Sequence, residues 1–233
     1  MEIIGVPAWS VLGIVVFGYL FGSIPSAYLA VKLRRGTDIR DIGSGNVGGS
    51  NAIHALGNVP GLMVMAFDVF VKGSLPVIVV GQMLGHGNGA EVIIGTAVLV
   101  GHNWSIFLRF TGGRGLGTGS GAMLAMAWPI WLVFAGIGLL NWTITRNAPV
   151  GWLIAFLVQP IIIAVTGLPS EYILYAALFA AASGIKRVAS NPSDRAVFVT
   201  DEGMSKRQLY WVRLIYDRDI KDREAWLRGD RGR

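Results

Sequence analysis

Residues 6–33 read VPAWSVLGIVVFGYLFGSIPSAYLAVKL and contain a single charged side chain, that of Lys32. About 20 consecutive apolar residues are enough for a helix to cross the hydrocarbon core of a bilayer. The stretch has no basic segment before it and no small-residue cleavage site within it, so we expect a retained transmembrane helix rather than a signal peptide. The sequence therefore predicts an integral membrane protein whose first span lies near residue 1.

The composition of the chain supports this class. Hydrophobic residues make up 53% and charged residues 15% of the 233 positions, a balance that is typical of proteins with several transmembrane helices. There is no cysteine, which excludes disulfides, thiolate metal sites and a cysteine nucleophile. Three histidines leave little for a metal centre. We therefore expect a protein without a cofactor or a bound metal.

Further apolar windows follow at residues 59–84, 90–110, 116–145, 149–167 and 170–186. The window at 116–145 allows either one long helix or two short spans that separate at Trp128-Pro129. The loop cations decide between these readings, because cytoplasmic loops carry an excess of Lys and Arg. Placing the basic loops on one side favours an all-α fold of seven transmembrane helices, two of them short. The N-terminus would then lie outside and the C-terminus in the cytoplasm.

The C-terminal part of the chain has a different character. We expect residues 1–191 to form the membrane domain and residues 192–233 to form a cytoplasmic or interfacial tail. The segment KRQLYWVRLIYDR, residues 206–218, has Leu209, Val212 and Tyr216 near helical spacing, which predicts an amphipathic helix on the cytoplasmic membrane surface. Acidic residues nearly cancel the basic charge of the tail, so we do not expect nucleic-acid binding.

Two glycine-rich runs, GSGNVGGSN at 43–51 and FTGGRGLGTGSG at 110–121, fall on the predicted cytoplasmic side. Close packing of transmembrane helices is one interpretation of such glycines. Binding of phosphate is the other, since bare backbone N–H groups, hydroxyls, amides and guanidinium groups are suitable donors. The polar residues in and beside the runs are Arg40, Ser44, Asn46, Ser50, Asn51, Arg114, Thr118 and Ser120. Neither run matches a nucleotide-binding fingerprint, and together they predict two phosphates, or one phosphate held from both sides.

Among the polar residues inside apolar windows, Asp68, Lys72 and His102 bear on a candidate site. Asp68 and Lys72 are four residues apart, so they share a helical face and are expected to pair, either as a simple ion pair or in support of the site. The pattern around His102 favours a hydrogen-bonded packing residue over a general base. No role is assigned to His54 or His86.

Four motifs resemble a known family when they are taken in order. GSIPSAYLAVKL, DIRDIGSGNVGGSN, FDVFVKG and GHNWSIFLRFTGGRGLGTGSG are similar to the successive motifs of the bacterial acyl-phosphate:glycerol-3-phosphate acyltransferases, the PlsY family, over about residues 13–191. The resemblance implies an inner-membrane enzyme that transfers an acyl group from acyl phosphate to glycerol 3-phosphate, the first acylation of phospholipid synthesis. Acyl phosphate is a mixed anhydride, so this chemistry needs neither an enzyme nucleophile nor a metal.

The resemblance also implies roles for individual residues. The catalytic residues would be Arg114, Ser44 and Asn46. Acyl phosphate would be bound by Gly43, Ser44, Gly45, Asn46, Gly48, Ser50 and Asn51. Glycerol phosphate would be bound by Arg40, Gly112, Gly113, Arg114, Gly115, Thr118, Arg187 and Asn191. Asp68, Lys72 and His102 would support the site, and the partners would be the two substrates and membrane lipids, with the protein a monomer or a weak homo-oligomer.

This chain departs from the family pattern at a few positions. Arg114 stands where the family usually has lysine, while Pro149 and Val188 stand where it usually has serine and histidine. A paralogue without catalysis, or with a shifted substrate, is therefore an alternative. A transporter of a small organic phosphate is another, although the two halves of the chain show no inverted repeat.

Overall fold

The computed structural model describes residues 2, 3, 5–189 and 205–218. The described secondary structure is helical apart from a two-stranded antiparallel hairpin of β1 (Glu2–Ile3) and β2 (Val6–Pro7). The helices of this part of the chain are α1 (Ala8–Gly22), α2 (Ser26–Arg35), α3 (Gly49–Leu56), α4 (Asn58–Met83), α5 (Gly87–Asn103), α6 (Leu116–Met126), α7 (Trp128–Thr145), α8 (Ala148–Thr166), α9 (Glu171–Ala189) and α10 (Lys206–Tyr216). Short 3-10 turns lie at Ile39–Asp41 and Ile106–Leu108.

Among the described residues, five helical stretches are long and apolar enough to cross a membrane. They are Ala8–Arg35, which comprises α1 and α2, and the helices α4, α7, α8 and α9. Large apolar side chains on these helices point outward, and those of Trp9 and Leu12 are 82% and 70% exposed. Exposed apolar surface of this extent fits a lipid environment, since soluble proteins keep such patches small. The predicted class of helical membrane protein is confirmed.

The ambiguous window at 116–145 forms two helices. Ala127 separates them with φ −152° and ψ 79°, outside the helical region. Pro129 then lies in the first turn of α7, where its missing N–H group leaves no helical hydrogen bond unmade. The window predicted at 90–110 is shorter as a helix, because α5 ends at Asn103 and the chain then turns. Arg109 and Phe110 lie in this turn with positive φ angles of 54° and 61°.

Glycine permits two close helix crossings. A Cβ atom on Gly22 would overlap the backbone of Val98, so α1 and α5 can meet only without it. A Cβ atom on Gly121 would overlap the carbonyl of Val69, which fixes α6 against α4. Ser74 Oγ strengthens the second crossing by donating to Gly121 O at 2.7 Å. The helices α4 and α6 thereby bring the two glycine-rich runs to the same end of the bundle.

The described part of the tail is a helix, as predicted. Ser205 and Gln208 form a capping box at its start, with Ser205 N donating to Gln208 Oε1 at 2.8 Å. Leu209 and Val212 are buried, and α10 packs against α8 and α9. A location at the membrane surface stays a prediction, as does a domain boundary at residue 191, which lies outside the described residues.

Candidate active site

Both glycine-rich runs line one cavity of about 340 Å³. The cavity lies where the loop before α3, the start of α6, the start of α8 and the end of α9 meet. The predicted site residues on its wall are Gly43, Ser44, Asn46, Gly48, Ser50, Asn51, Arg114, Gly115, Arg187, Asp68 and His102. The fold therefore brings predicted residues from five segments together: the two glycine-rich runs and the helices α4, α5 and α9.

The first run is a preformed loop that leads into a helix N-terminus. Gly43 and Gly45 adopt left-handed conformations with φ +53° and +70°, which glycine takes without strain. Helix α3 then begins at Gly49. The first N–H groups of a helix have no partner within the helix and favour an anion, so this end of α3 suits a phosphate. The hydroxyls of Ser44 and Ser50 are exposed beside it.

Asn51 holds this loop in shape. Its side chain is buried, and Nδ2 donates to the carbonyls of Ile39, Ile42 and Asn46 at 3.1, 2.9 and 3.0 Å. An amide nitrogen that is committed to three carbonyls has no donor left for a substrate. The structure thus gives Asn51 a role in shaping the first glycine-rich run, although the residue also borders the cavity.

Arg40 lies beside the cavity and does not line it. Its guanidinium pairs with Asp38 at 2.7 Å, and this hydrogen-bonded pair holds the pKa of the Asp38 carboxyl below its usual range. Arg40 Nη1 also donates to Thr111 Oγ1 at 3.3 Å. The residue therefore ties the first glycine-rich run to the beginning of the second.

The glycines of the second run have two roles: some shape the cavity, and others allow helices to pack closely. At Gly113 a Cβ atom would overlap His102 and lie 2.8 Å from Val47 O, so glycine lets the two loops touch. Gly115 has φ +75° at the start of α6 and lines the cavity. Farther along α6, Gly119 packs on Phe179 and Thr118 is fully buried. The first half of the run thus shapes the cavity, and the second half packs helices. Gly45, Gly112, Gly113 and Thr118 lie behind the cavity wall.

Arg114 is anchored on one side of its guanidinium group. Nη1 lies 2.9 Å from Asp217 Oδ1 and donates to the carbonyls of Lys186 and Arg187 at 3.3 Å each. Nε is buried and has no hydrogen-bond partner among the described residues. The Nε–H donor is therefore not used by the described protein groups, in a side chain that borders the cavity.

Arg187, like Arg114, is anchored on one side of its guanidinium group. Its side chain is buried, and Nη1 donates to the carbonyls of Pro149 and Leu214 at 3.3 Å each. Its Nε also has no partner within the described part of the chain. Pro149 and Val188 have no side-chain donor, and each contributes a carbonyl instead: Val188 O accepts from Arg213 Nη1 at 3.2 Å. Asn191, predicted to act beside Arg187, lies outside the described residues.

A buried polar chain lies under the second loop. Lys72 Nζ is 3.3 Å from Asp68 Oδ1, so the predicted pair forms. Ser26 Oγ donates to the same oxygen at 2.6 Å, and Lys72 also donates to Ile24 O at 2.8 Å. The third contact of Lys72 is His102 Nδ1, at 3.0 Å. Asp68 and Lys72 lie where α4 widens into a π-helical stretch at Phe67–Ser74, a feature that is frequent at functional sites.

Several residues of the cavity wall were not found from the sequence. His54 lies three positions after Asn51 on α3, and this helical spacing was the signal that could have placed it. Arg146, Tyr216, Asp217 and Arg218 also line the cavity. The last three come from the tail, and no local pattern relates them to a loop about a hundred positions earlier in the chain.

The sequence matches the family model of glycerol-3-phosphate acyltransferases over residues 12–193. The chain belongs to this family. It is 42% identical over 167 residues to glycerol-3-phosphate acyltransferase 2 of Moorella thermoacetica, covering 71% of this chain and 84% of the relative. It is 35% identical to glycerol-3-phosphate acyltransferase 4 of Dehalococcoides mccartyi (strain CBDB1) over 217 residues, 90% of each chain.

Solved structures of this acyltransferase family share the fold. The crystal structure of PlsY, an integral membrane glycerol 3-phosphate acyltransferase, in its glycerol 3-phosphate form superposes with a TM-score of 0.70 at 30% identity. The match covers 76% of this chain and 88% of that chain. The lysophosphatidic acid form of PlsY gives a TM-score of 0.68 at 28% identity. The family resemblance that the motifs indicated is confirmed, and with it membership in a family of membrane enzymes.

Proposed function

We propose that this acyltransferase moves a fatty acyl group from acyl phosphate to the primary hydroxyl of sn-glycerol 3-phosphate. The products are lysophosphatidic acid and inorganic phosphate. The observation that carries the proposal is the convergence of both glycine-rich loops with Arg114 and Arg187 on one cavity, in a chain that belongs to the glycerol-3-phosphate acyltransferases. Two phosphate-bearing substrates need two sets of donors. The cavity offers the first glycine-rich run with the start of α3 as one set, and Arg114 with Arg187 as the other.

In this proposal acyl phosphate binds at the first run. The N–H groups at the start of α3 and the side chains of Ser44, Asn46 and Ser50 hold its phosphate. Glycerol phosphate binds on the opposite wall, at the free edges of Arg114 and Arg187, with Asn191 as a further predicted donor. Arg40 contributes indirectly, by linking the two loops through Thr111.

The reaction needs positioning and charge stabilisation more than an enzyme nucleophile. The primary hydroxyl oxygen of glycerol phosphate attacks the acyl carbonyl carbon and forms the new ester bond. The bond from that carbon to the phosphate oxygen breaks, and phosphate leaves with the electron pair. The hydroxyl proton passes to a phosphate oxygen of the leaving group, so no protein base is required. Backbone N–H groups of the loops and the Arg114 guanidinium stabilise the developing negative charge.

We also propose that the helices cross a bacterial cytoplasmic membrane seven times, with the cavity open to the cytoplasm. The short helices α5 and α6 would add two spans to the five long stretches. Basic residues support this orientation, because Arg35, Arg114, Arg146 and Arg187 all lie at the ends of helices that face one side in the seven-span arrangement.

The proposal is tested with purified protein in detergent or lipid cubic phase. Acyl phosphate and glycerol 3-phosphate are added, and phosphate release and lysophosphatidic acid are measured in equal amounts. Arg114→Ala is expected to abolish turnover while the protein stays folded. Arg35→Ala, which removes an exposed cation outside this cavity, serves as the matched control and should keep wild-type turnover.

The outcome also separates the alternatives. Binding of glycerol 3-phosphate by the folded protein without any lysophosphatidic acid would identify a paralogue that binds but does not transfer. Counterflow of glycerol 3-phosphate in sealed vesicles without turnover would identify a transporter. Full activity of Arg114→Ala would refute the role given to this arginine.

A further inference from the structure

The C-terminal segment forms one wall of the acyltransferase cavity. Tyr216, Asp217 and Arg218 line it together with Ser44 and Arg114. The segment reaches the cavity as the end of an ordered helix, because α10 starts at a capping box and buries Leu209 and Val212. Its contacts with the cavity are therefore part of the fold.

Arginine side chains join this segment to the end of α9. The last carbonyls of a helix have no partner within the helix and favour cations. Here Arg114 donates to Lys186 O and Arg187 O, and Arg213 donates to Val188 O at 3.2 Å. Arg187 in turn donates to Leu214 O, on α10 itself. The tail helix, Arg114 and Arg187 are thus parts of one hydrogen-bonded unit.

Asp217 makes the direct link to the site. It follows α10 in a left-handed conformation, with φ 54° and ψ 37°. Its carboxylate meets Arg114 Nη1 at 2.9 Å, and the two side chains are 23% and 13% exposed. The contact occupies the Nη1 end of the guanidinium and leaves the buried Nε without a partner in the described chain.

We propose that Asp217 is a positioning residue for acyl transfer: it fixes the guanidinium of Arg114 so that its Nε edge faces the phosphate of glycerol 3-phosphate. This inference rests on the proposed function. The two carbonyls accept hydrogen bonds from Nη1 at 3.3 Å, and Asp217 Oδ1 adds an ion pair at 2.9 Å without hydrogen-bond geometry, so the three contacts together set the rotation of the group. The tail of this chain is then a component of the substrate site.

A different role for the contact between Asp217 and Arg114 predicts the opposite change in the KM for glycerol 3-phosphate. If the Asp217 carboxylate occupied the place of the substrate phosphate, its removal would lower the KM for glycerol 3-phosphate. A positioning role predicts that Asp217→Asn raises this KM and lowers kcat/KM by about tenfold, the low end of what the loss of one close charge pair costs. Asp217→Glu, which keeps the charge, should restore part of the loss. The KM for acyl phosphate should stay close to the wild-type value.

A double-mutant cycle with Arg114→Lys isolates the positioning effect. A lysine ammonium has no rigid fork to orient. Asp217→Asn should therefore have a much smaller effect on kcat/KM in the Arg114→Lys background than in the wild type. Equal effects in both backgrounds would overturn the inference, as would a lower KM for glycerol 3-phosphate in Asp217→Asn.

Two further variants complete the experiment. Ser205→Ala removes the cap of α10 without a change of charge and should raise the same KM, more weakly than Asp217→Asn. Glu171→Gln makes the same carboxylate-to-amide change at the opposite end of α9 and should leave KM unchanged. Wild-type turnover in the same assay tests the proposed function separately. If it is absent, glycerol 3-phosphate binding to the same variants, followed by thermal shift, decides the inference: weaker binding to Asp217→Asn supports it, and equal or tighter binding overturns it.

Discussion

The ammonium of Lys72 lies 3.0 Å from Nδ1 of His102, at the wall of the cavity. Lysine in its charged form only donates hydrogen bonds, so Nδ1 accepts and the imidazole proton is on Nε2. In this tautomer the one basic nitrogen of His102 is already engaged. We therefore expect His102 to act as a packing and hydrogen-bonding residue, which is the interpretation that its sequence context favours.

We expect His102→Asn to retain turnover. The asparagine oxygen can replace Nδ1 as the acceptor for Lys72, whereas loss of a true general base typically lowers the rate by about 10²–10⁴-fold. The variant should lose less than about tenfold in kcat and keep the shape of the wild-type pH–rate profile. Loss of one limb of that profile would instead identify His102 as an acid or base.

Lys72→Met should destabilise the protein strongly. It leaves the Asp68 carboxylate buried without its cation, and breaking a buried ion pair in this way costs about 3–5 kcal/mol. The double variant Asp68→Leu with Lys72→Met removes both charges and should recover much of the loss. The unfolding midpoints of both variants are measured in the same detergent as that of the wild type. A wild-type midpoint in the single variant would contradict this prediction.

Asn51→Ala should reduce both stability and activity. It removes the donor that holds the carbonyls of Ile39, Ile42 and Asn46 together. The first two carbonyls keep backbone partners, whereas Asn46 O loses this donor, and a buried carbonyl left unpaired costs about 1–3 kcal/mol. Ser50→Ala is the matched comparison, because its hydroxyl is exposed at the cavity. We expect Ser50→Ala to raise the KM for acyl phosphate with an unchanged unfolding midpoint. A stable Asn51→Ala protein with normal kinetics would remove the structural role assigned to this amide.

Gly121→Ala should disrupt the crossing of α4 and α6. The added methyl group would overlap the backbone of Val69, which cannot move aside as a flexible side chain can. Overpacking of this kind costs about 1–3 kcal/mol or more. Gly136→Ala on α7 is the control, since no atom lies within 4 Å of its Cβ position. The control should keep or slightly raise the unfolding midpoint, whereas equal midpoints in both variants would count against a close crossing.

Much of the fold could be predicted from local sequence. Apolar windows placed the long helices, and Trp128-Pro129 marked the break that the structure shows at Ala127. The end of the third window could not be predicted, because apolar residues continue through Ile106 and Leu108 after the helix has stopped. Hydropathy registers solvent preference, and a turn that exposes Ile106 and Phe107 on the surface of the bundle has the same preference as a lipid-facing helix.

The sequence predicted the site only in part, because local composition does not show what packs against a residue. Local composition identified both glycine-rich runs, but it could not separate Gly115, which lines the cavity, from Gly119, which packs on Phe179. Both residues have the same chemistry and differ only in what faces them. Arg40 has a suitable charge for phosphate, but its neighbour Asp38 engages it outside the cavity.

The sequence by itself determined the membrane class and the family, and it predicted that the two glycine-rich runs bind phosphate, because hydropathy and motif chemistry are properties of neighbouring residues. Only the tertiary structure decided that Arg114 pairs with Asp217. This residue lies 103 positions farther along the chain and is held in place by the packing of α10 on α8 and α9. Contacts over such separations are set by how helices pack against one another, and no local pattern encodes them.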